Sequence, residues 1–170
     1  MSSIKLFCQA DLASWQGVPG LYPSARRAAR AVAAGLPRPL TFSASATVLF
    51  SGNATLRRLN RAFRGVDRPT NVLSFPQFGS DELPRLAGST KTVFLGDIAL
   101  SYQIVTAEAR RDAMPMGEHV SHLVIHGLLH LLGYDHVKSR DAAVMEGLER
   151  DLMKNLGLSD PYASVPKGKK

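Results

Sequence analysis

The sequence predicts one α/β (α+β) domain, a small mixed sheet of about four strands packed against about five helices. Three observations carry this. Stretches that alternate in hydrophobicity are interleaved with stretches of helical period, rather than gathered into separate blocks. The 170 residues suffice for one core and not comfortably for two, and 45% hydrophobic with 21% charged residues is ordinary for a globular chain. No internal repeat or low-complexity linker divides the chain, so residues 1–160 are expected to form the domain and 161–170 a basic flexible tail.

Each element has its own reason. IKLFCQ (4–9) alternates and predicts a strand. PSARRAARAVAAGL (23–36) is alanine-rich, with Ser24 placed to cap a helix that Gly35 and Pro37 end. TFSASATVLF (41–50) puts Phe42, Ala44, Ala46 and Val48 on one side of a half-buried strand. After a turn at Ser51–Gly52–Asn53, ATLRRLNRAFR (54–64) predicts a helix with Leu56, Leu59 and Phe63 on one stripe and Gly65 as its stop. NVLSFP (71–76) is a short strand whose Pro76 favours an edge. Residues 77–91, rich in Gly, Pro, Ser and mixed charge, predict a mobile loop. TVFLGDIAL (92–100) is the fourth strand, and 101–113 a helix capped by Ser101. Pro115 opens a helix over about 117–132, and the last helix runs over 138–156 to Gly157.

Composition narrows the partners. The net charge of +7 favours an anionic partner, nucleic acid foremost, or else serves solubility. Arg26, Arg27 and Arg30 form one cluster and Arg57, Arg58, Arg61, Arg64 and Arg68 another, and arginine suits bidentate contact with phosphate. The most apolar helical stretch, VSHLVIHGLLHLLG, carries histidines and so is not a lipid-facing span. The start, MSSIKLFCQAD, lacks the regions of a secretory leader. The single cysteine, Cys8, forms no internal disulfide and reads as a small hydrophobe on a strand. A cytoplasmic protein without a membrane partner is the expectation.

The chemistry concentrates in HGLLHLLGYDH (126–136). All five histidines lie between His119 and His136, and the first four span roughly 80° of one helix face. The other sides are aliphatic, which makes the helix a buried one. A buried row of imidazoles is costly unless its nitrogens find partners. His126 and His130, four apart, point the same way and reach one metal. Gly133 ends the helix, and the returning chain brings His136 as a third ligand from another direction. Three protein ligands with a fourth position open is the pattern of a catalytic zinc site. The spacing is that of the metzincin protease motif, except that Gly127 stands where the protease needs its glutamate base. His122 is expected at the pocket rim or behind the ligands, and His119 at the surface. Phe75 and Phe78 are offered as base-stacking side chains, with core burial the simpler role.

These residues, with NRAFRGVDRPTNVLSFP before them and FLGDIALS between, resemble the bacterial YbeY family of endoribonucleases and rRNA maturation factors over about residues 40–157. The resemblance implies a small α/β domain with the metal at the base of a cleft. It implies a single-strand-specific endoribonuclease with one Zn2+ per chain, held by His126, His130 and His136. It further implies a role in ribosomal RNA processing, notably at the 3′ end of the 16S RNA, and in ribosome quality control. Single-stranded RNA, ribosomal RNA and the small subunit are the implied partners of a monomer. Arg64 matches an arginine that the family places in the cleft, so Arg64 and His126 are the candidate catalytic residues. Asp97 and Asp135 match recurrent family positions. Asp135 reads as a turn hydrogen bond or a proton-transfer group, Asp97 as an acceptor behind an imidazole or a structural partner. Many members carry Asp where this chain has Asn71, so Asn71 is given no catalytic role. Two other functions stay open: a metallopeptidase with its carboxylate supplied from Asp135 or Glu108, and a non-catalytic assembly factor that holds zinc for folding.

Overall fold

The computed structural model describes residues 3–163. The alternation at the start becomes β1 (Ile4–Ala10), with Ile4 and Leu6 buried and Lys5 and Phe7 exposed. Cys8 is half-buried on this strand, and burial raises its thiol pKa against the lowering effect of Arg26. The first helix, α1, spans Leu21–Gly35. It starts earlier than predicted, with Gly20 rather than Ser24 at the cap position. Pro23 in a first turn forfeits no helical bond, so it does not mark the boundary. β2 (Ala44–Ser51) begins three residues later than expected, although Phe42 just before it is buried all the same.

Next come α2 (Asn53–Arg64), β3 (Val72–Pro76), β4 (Val93–Ser101) and α3 (Tyr102–Arg111). The chain then forms α4 (Met116–Leu131) and α5 (Ser139–Asn155). The sheet order is β1-β2-β4-β3. β1, β2 and β4 are parallel, and β3 is an antiparallel edge strand. Pro76, lacking an N–H, is tolerated there. The mixed four-strand sheet with five α-helices is the predicted class.

The core is built around α4. Val120, Val124, Ile125, Leu128, Leu129 and Leu131 are each 0% exposed. Burying such side chains contributes about 1.5–3 kcal/mol each. The helix packs against α1, α5, β3 and β4. A smaller cluster of Leu56, Leu73 and Ala99 lies under α2. Phe63 does not join it as predicted: the last turn of α2 reaches only the edge strand, and Phe63 leans on Phe75 with ring centroids 5.0 Å apart while staying 69% exposed. Ser101 sits at the N-terminal cap of α3 without capping it, because its hydroxyl donates to Asn53 Oδ1. The segment 77–91 holds a 3-10 turn, Leu83–Leu86, whose two leucines pack on the main core. Of the expected tail, 164–170 lies outside the described residues and 161–163 forms a turn.

Candidate metal centre

His126 and His130 project from α4 with their Nε2 atoms 3.1 Å apart. The helix stops at Gly133, whose φ of 87° is the left-handed conformation that glycine adopts without strain. The Gly133 N–H donates to His130 O and the Tyr134 N–H to Leu129 O, closing the helix end. The turn is backed by the 77–91 segment, since a Cβ on Gly133 would stand 3.0 Å from Ser80 Cβ. It delivers His136, with its ring centroid 4.8 Å from that of His130 and 5.5 Å from that of His126. One nitrogen from each of the three rings lies within 4.8 Å of the others.

The ring protons follow from the partners. A carbonyl or carboxylate only accepts, so His130 Nδ1–H donates to Tyr134 O at 3.0 Å and His126 Nδ1–H to Glu149 Oε1 at 2.7 Å. Both Nε2 atoms are left with lone pairs aimed at one another. A shared cation relieves that opposition: two imidazole nitrogens on one tetrahedral zinc stand about 3.3 Å apart. Burial, then the neighbouring His126 and His136, push the His130 pKa down to about 4, so this ring is neutral at pH 7. The donor set therefore fits a divalent ion with a taste for imidazole.

Glu149 is the functional residue that the sequence argument missed. It lies on α5, is 0% exposed, and also accepts from His122 Nε2 at 3.0 Å and from the Tyr162 hydroxyl. Burial opposes its charge, yet His122 and His126 outweigh it and hold the carboxyl at about 2. A glutamate among Met145, Leu148, Leu152 and Met153, all buried, is the signal that could have found it. His122 accordingly stands beside His126, sharing its carboxylate. Arg64, at the end of α2, is exposed and lines a groove with Arg68, Thr70, Asn71 and Glu108. Arg57 is withdrawn from that basic cluster by two 2.8 Å contacts to Asp67.

Residues 25–157 match the family described as endoribonuclease YbeY. The chain belongs to the YbeY family. A relative of that name from Bradyrhizobium diazoefficiens is 39% identical over 89% of this chain and 81% of its own. One from Chelativorans sp. is 44% identical over 88% and 87%. The solution structure of TM1509 from Thermotoga maritima shares the fold, with a TM-score of 0.52 and 23% identity, over 98% of this chain and 99% of that one.

The glycine after His126 has a packing role. A Cβ on Gly127 would stand 2.8 Å from Ile98 Cδ1, so α4 lies against β4 at this point. The side chain at 127 would point into the core and not toward the ligand nitrogens. Gly127→Ala is expected to lower stability by about 1–3 kcal/mol through overpacking, less the helix propensity gained, as read by urea unfolding. Wild-type stability in that variant would contradict the close packing.

His119 is buried rather than at the surface, 8% exposed, with Nε2 2.7 Å from Glu108 Oε2. Glu108 comes from α3, an element the helix face of α4 does not reveal. Asn71 donates to both Glu108 oxygens, at 3.1 and 3.2 Å. Asp97 bonds the Thr47 hydroxyl across the outer face of the sheet, so it is no acceptor behind an imidazole. Asp135 Oδ1 accepts the His136 N–H at 2.7 Å, a turn bond. Phe75 and Phe78 are partly buried against the two hydrophobic clusters.

Proposed function

We propose that this chain is a zinc-dependent, single-strand-specific endoribonuclease. Its proposed roles are maturation of ribosomal RNA at the 16S 3′ end and ribosome quality control, as a monomer acting on the small subunit in the cytoplasm. No helix among the described residues is long and apolar enough to cross a membrane. The observation that carries the reading is the convergence of three imidazole nitrogens, two from α4 and one from the turn after it, with Gly127 after His126 supplying no protease base.

His126, His130 and His136 would hold the zinc, which when bound supplies Lewis acidity toward a phosphoryl oxygen and activates water. His130 stays neutral and His126 is oriented by Glu149, so each ring carries its proton on Nδ1 and leaves its Nε2 lone pair for the metal. Glu149 sits on the Nδ1 side of His126, turned from the converging nitrogens, and does not replace the missing base. That argues against a peptidase. Arg64 is assigned to clamp the scissile phosphate and offset charge growing on it, with Arg68 beside it. Two attackers suit such a site, water and the RNA's own 2′-hydroxyl, and neither needs a carboxylate on α4.

Arg58, Arg61, Arg64 and Arg68 are exposed on and after α2, and Arg58 and Arg61 line a neighbouring groove. Four phosphate contacts on a single strand predict a log–log salt slope of about −3 for RNA binding. Filter binding of a single-stranded RNA across salt concentrations checks this. A flat response would remove the basic surface from the account, and equal affinity for duplex RNA would remove the strand preference.

A further inference from the structure

The carboxylate behind the metal centre is held by a part of the chain that lies beyond the 25–157 family match. After α5 the chain turns back at Asp160, and the Tyr162 N–H bonds Asp160 Oδ1 at 2.8 Å. Arg150 on α5 reaches Asp160 at 3.4 Å and lies over the Tyr162 ring, 4.9 Å from its centroid. The ring meets His122 edge-on at 5.6 Å, and its hydroxyl donates to Glu149 Oε2. The turn is fastened again where the Ser159 N–H donates to Glu118 Oε2 at 3.1 Å, on α4.

We infer that Tyr162 is a positioning residue of the metal centre: through Glu149 it holds the His126 imidazole in the orientation that presents Nε2 to the metal. Glu149 has two oxygens and three donors, from α4 twice and from the C-terminal turn once. Among the described residues Oε1 serves His126 alone, while Oε2 is shared by His122 and Tyr162. A carboxylate fixed on both oxygens does not rotate, so the bond from Oε1 sets both the tautomer and the ring plane of His126. Without the Tyr162 hydroxyl, only His122 restrains Oε2, and the carboxylate is free to swing about its Cγ–Cδ bond. The metal site is thereby tied to how the chain's last described turn is seated.

This inference rests on the metal reading above, and its test separates the two. Zinc affinity is measured by competition with a chromophoric chelator for wild type, Tyr162→Phe, Glu149→Gln and the double variant. Urea unfolding of each metal-free protein is followed in parallel. Phenylalanine keeps the ring against His122 and Arg150 and removes only the hydroxyl. Glu149→Gln is expected to weaken zinc binding by about 10–100-fold, because an amide that donates to Nδ1 moves the imidazole proton to Nε2. Tyr162→Phe should weaken it several-fold, and in the double variant the loss should not exceed that of Glu149→Gln alone. Unchanged affinity in Tyr162→Phe would overturn the inference even if Glu149→Gln does not fold, and additive losses would overturn it where all the variants fold. A wild-type protein that binds no zinc would instead defeat the metal reading itself.

Discussion

His130→Ala is expected to lose zinc affinity by about a hundred-fold or more while keeping its fold. Apparent binding free energies for structural zinc of about 10–16 kcal/mol over four ligands amount to about 3 kcal/mol per ligand. The ring is half-buried at the end of α4, bonded to Tyr134 O and facing His126, so its removal leaves the aliphatic side of the helix intact. Circular dichroism should therefore match wild type. His130 is also kept neutral at pH 7 by burial and by two neighbouring imidazoles. If zinc affinity in His130→Ala were unchanged, the 3.1 Å convergence with His126 would have no metal role.

Arg64→Ala is the second large effect. Removing one preorganised charge partner of a transition state costs about 10²–10³ in kcat. The side chain is exposed and makes no ion pair among the described residues, so stability and zinc stoichiometry should stay at wild-type values. Arg64→Lys keeps the charge and loses the fork, and should recover only part of the rate. The pattern that matters is the split: a fall in kcat with one zinc still bound. Loss of zinc in Arg64→Ala would make the arginine a structural support of α2 and its loop.

The convergence of three histidines was legible because its information is local. His126 and His130 are a helical repeat apart, and Gly133 announces the turn that returns His136. Half of the sheet was legible for a similar reason, since 4–9 and 41–50 carry their own alternation. Contacts between distant elements left no comparable trace. Glu149 is on α5, and nothing in the α4 pattern says which carboxylate will stand behind His126. His119 was placed at the surface because Glu108, which covers its ring nitrogen, arrives from α3. Phe63 fits a helical stripe by period, but it meets Phe75 on the edge strand and stays exposed. Gly127 was legible as a missing base, while the reason for a glycine there, the approach of Ile98, belongs to the packed fold.

The central claim is that this histidine site cuts RNA through a bound metal. Its most direct test is cleavage of a single-stranded RNA by protein stripped of metal, by the same protein reloaded with zinc, and by His130→Ala given the same zinc, with the product ends identified. The account predicts internal cuts by the reloaded wild type alone. Those cuts end in a 2′,3′-cyclic phosphate if the ribose attacks, or in 5′-phosphate and 3′-hydroxyl if water does. Equal cleavage by the stripped protein or by His130→Ala would contradict it.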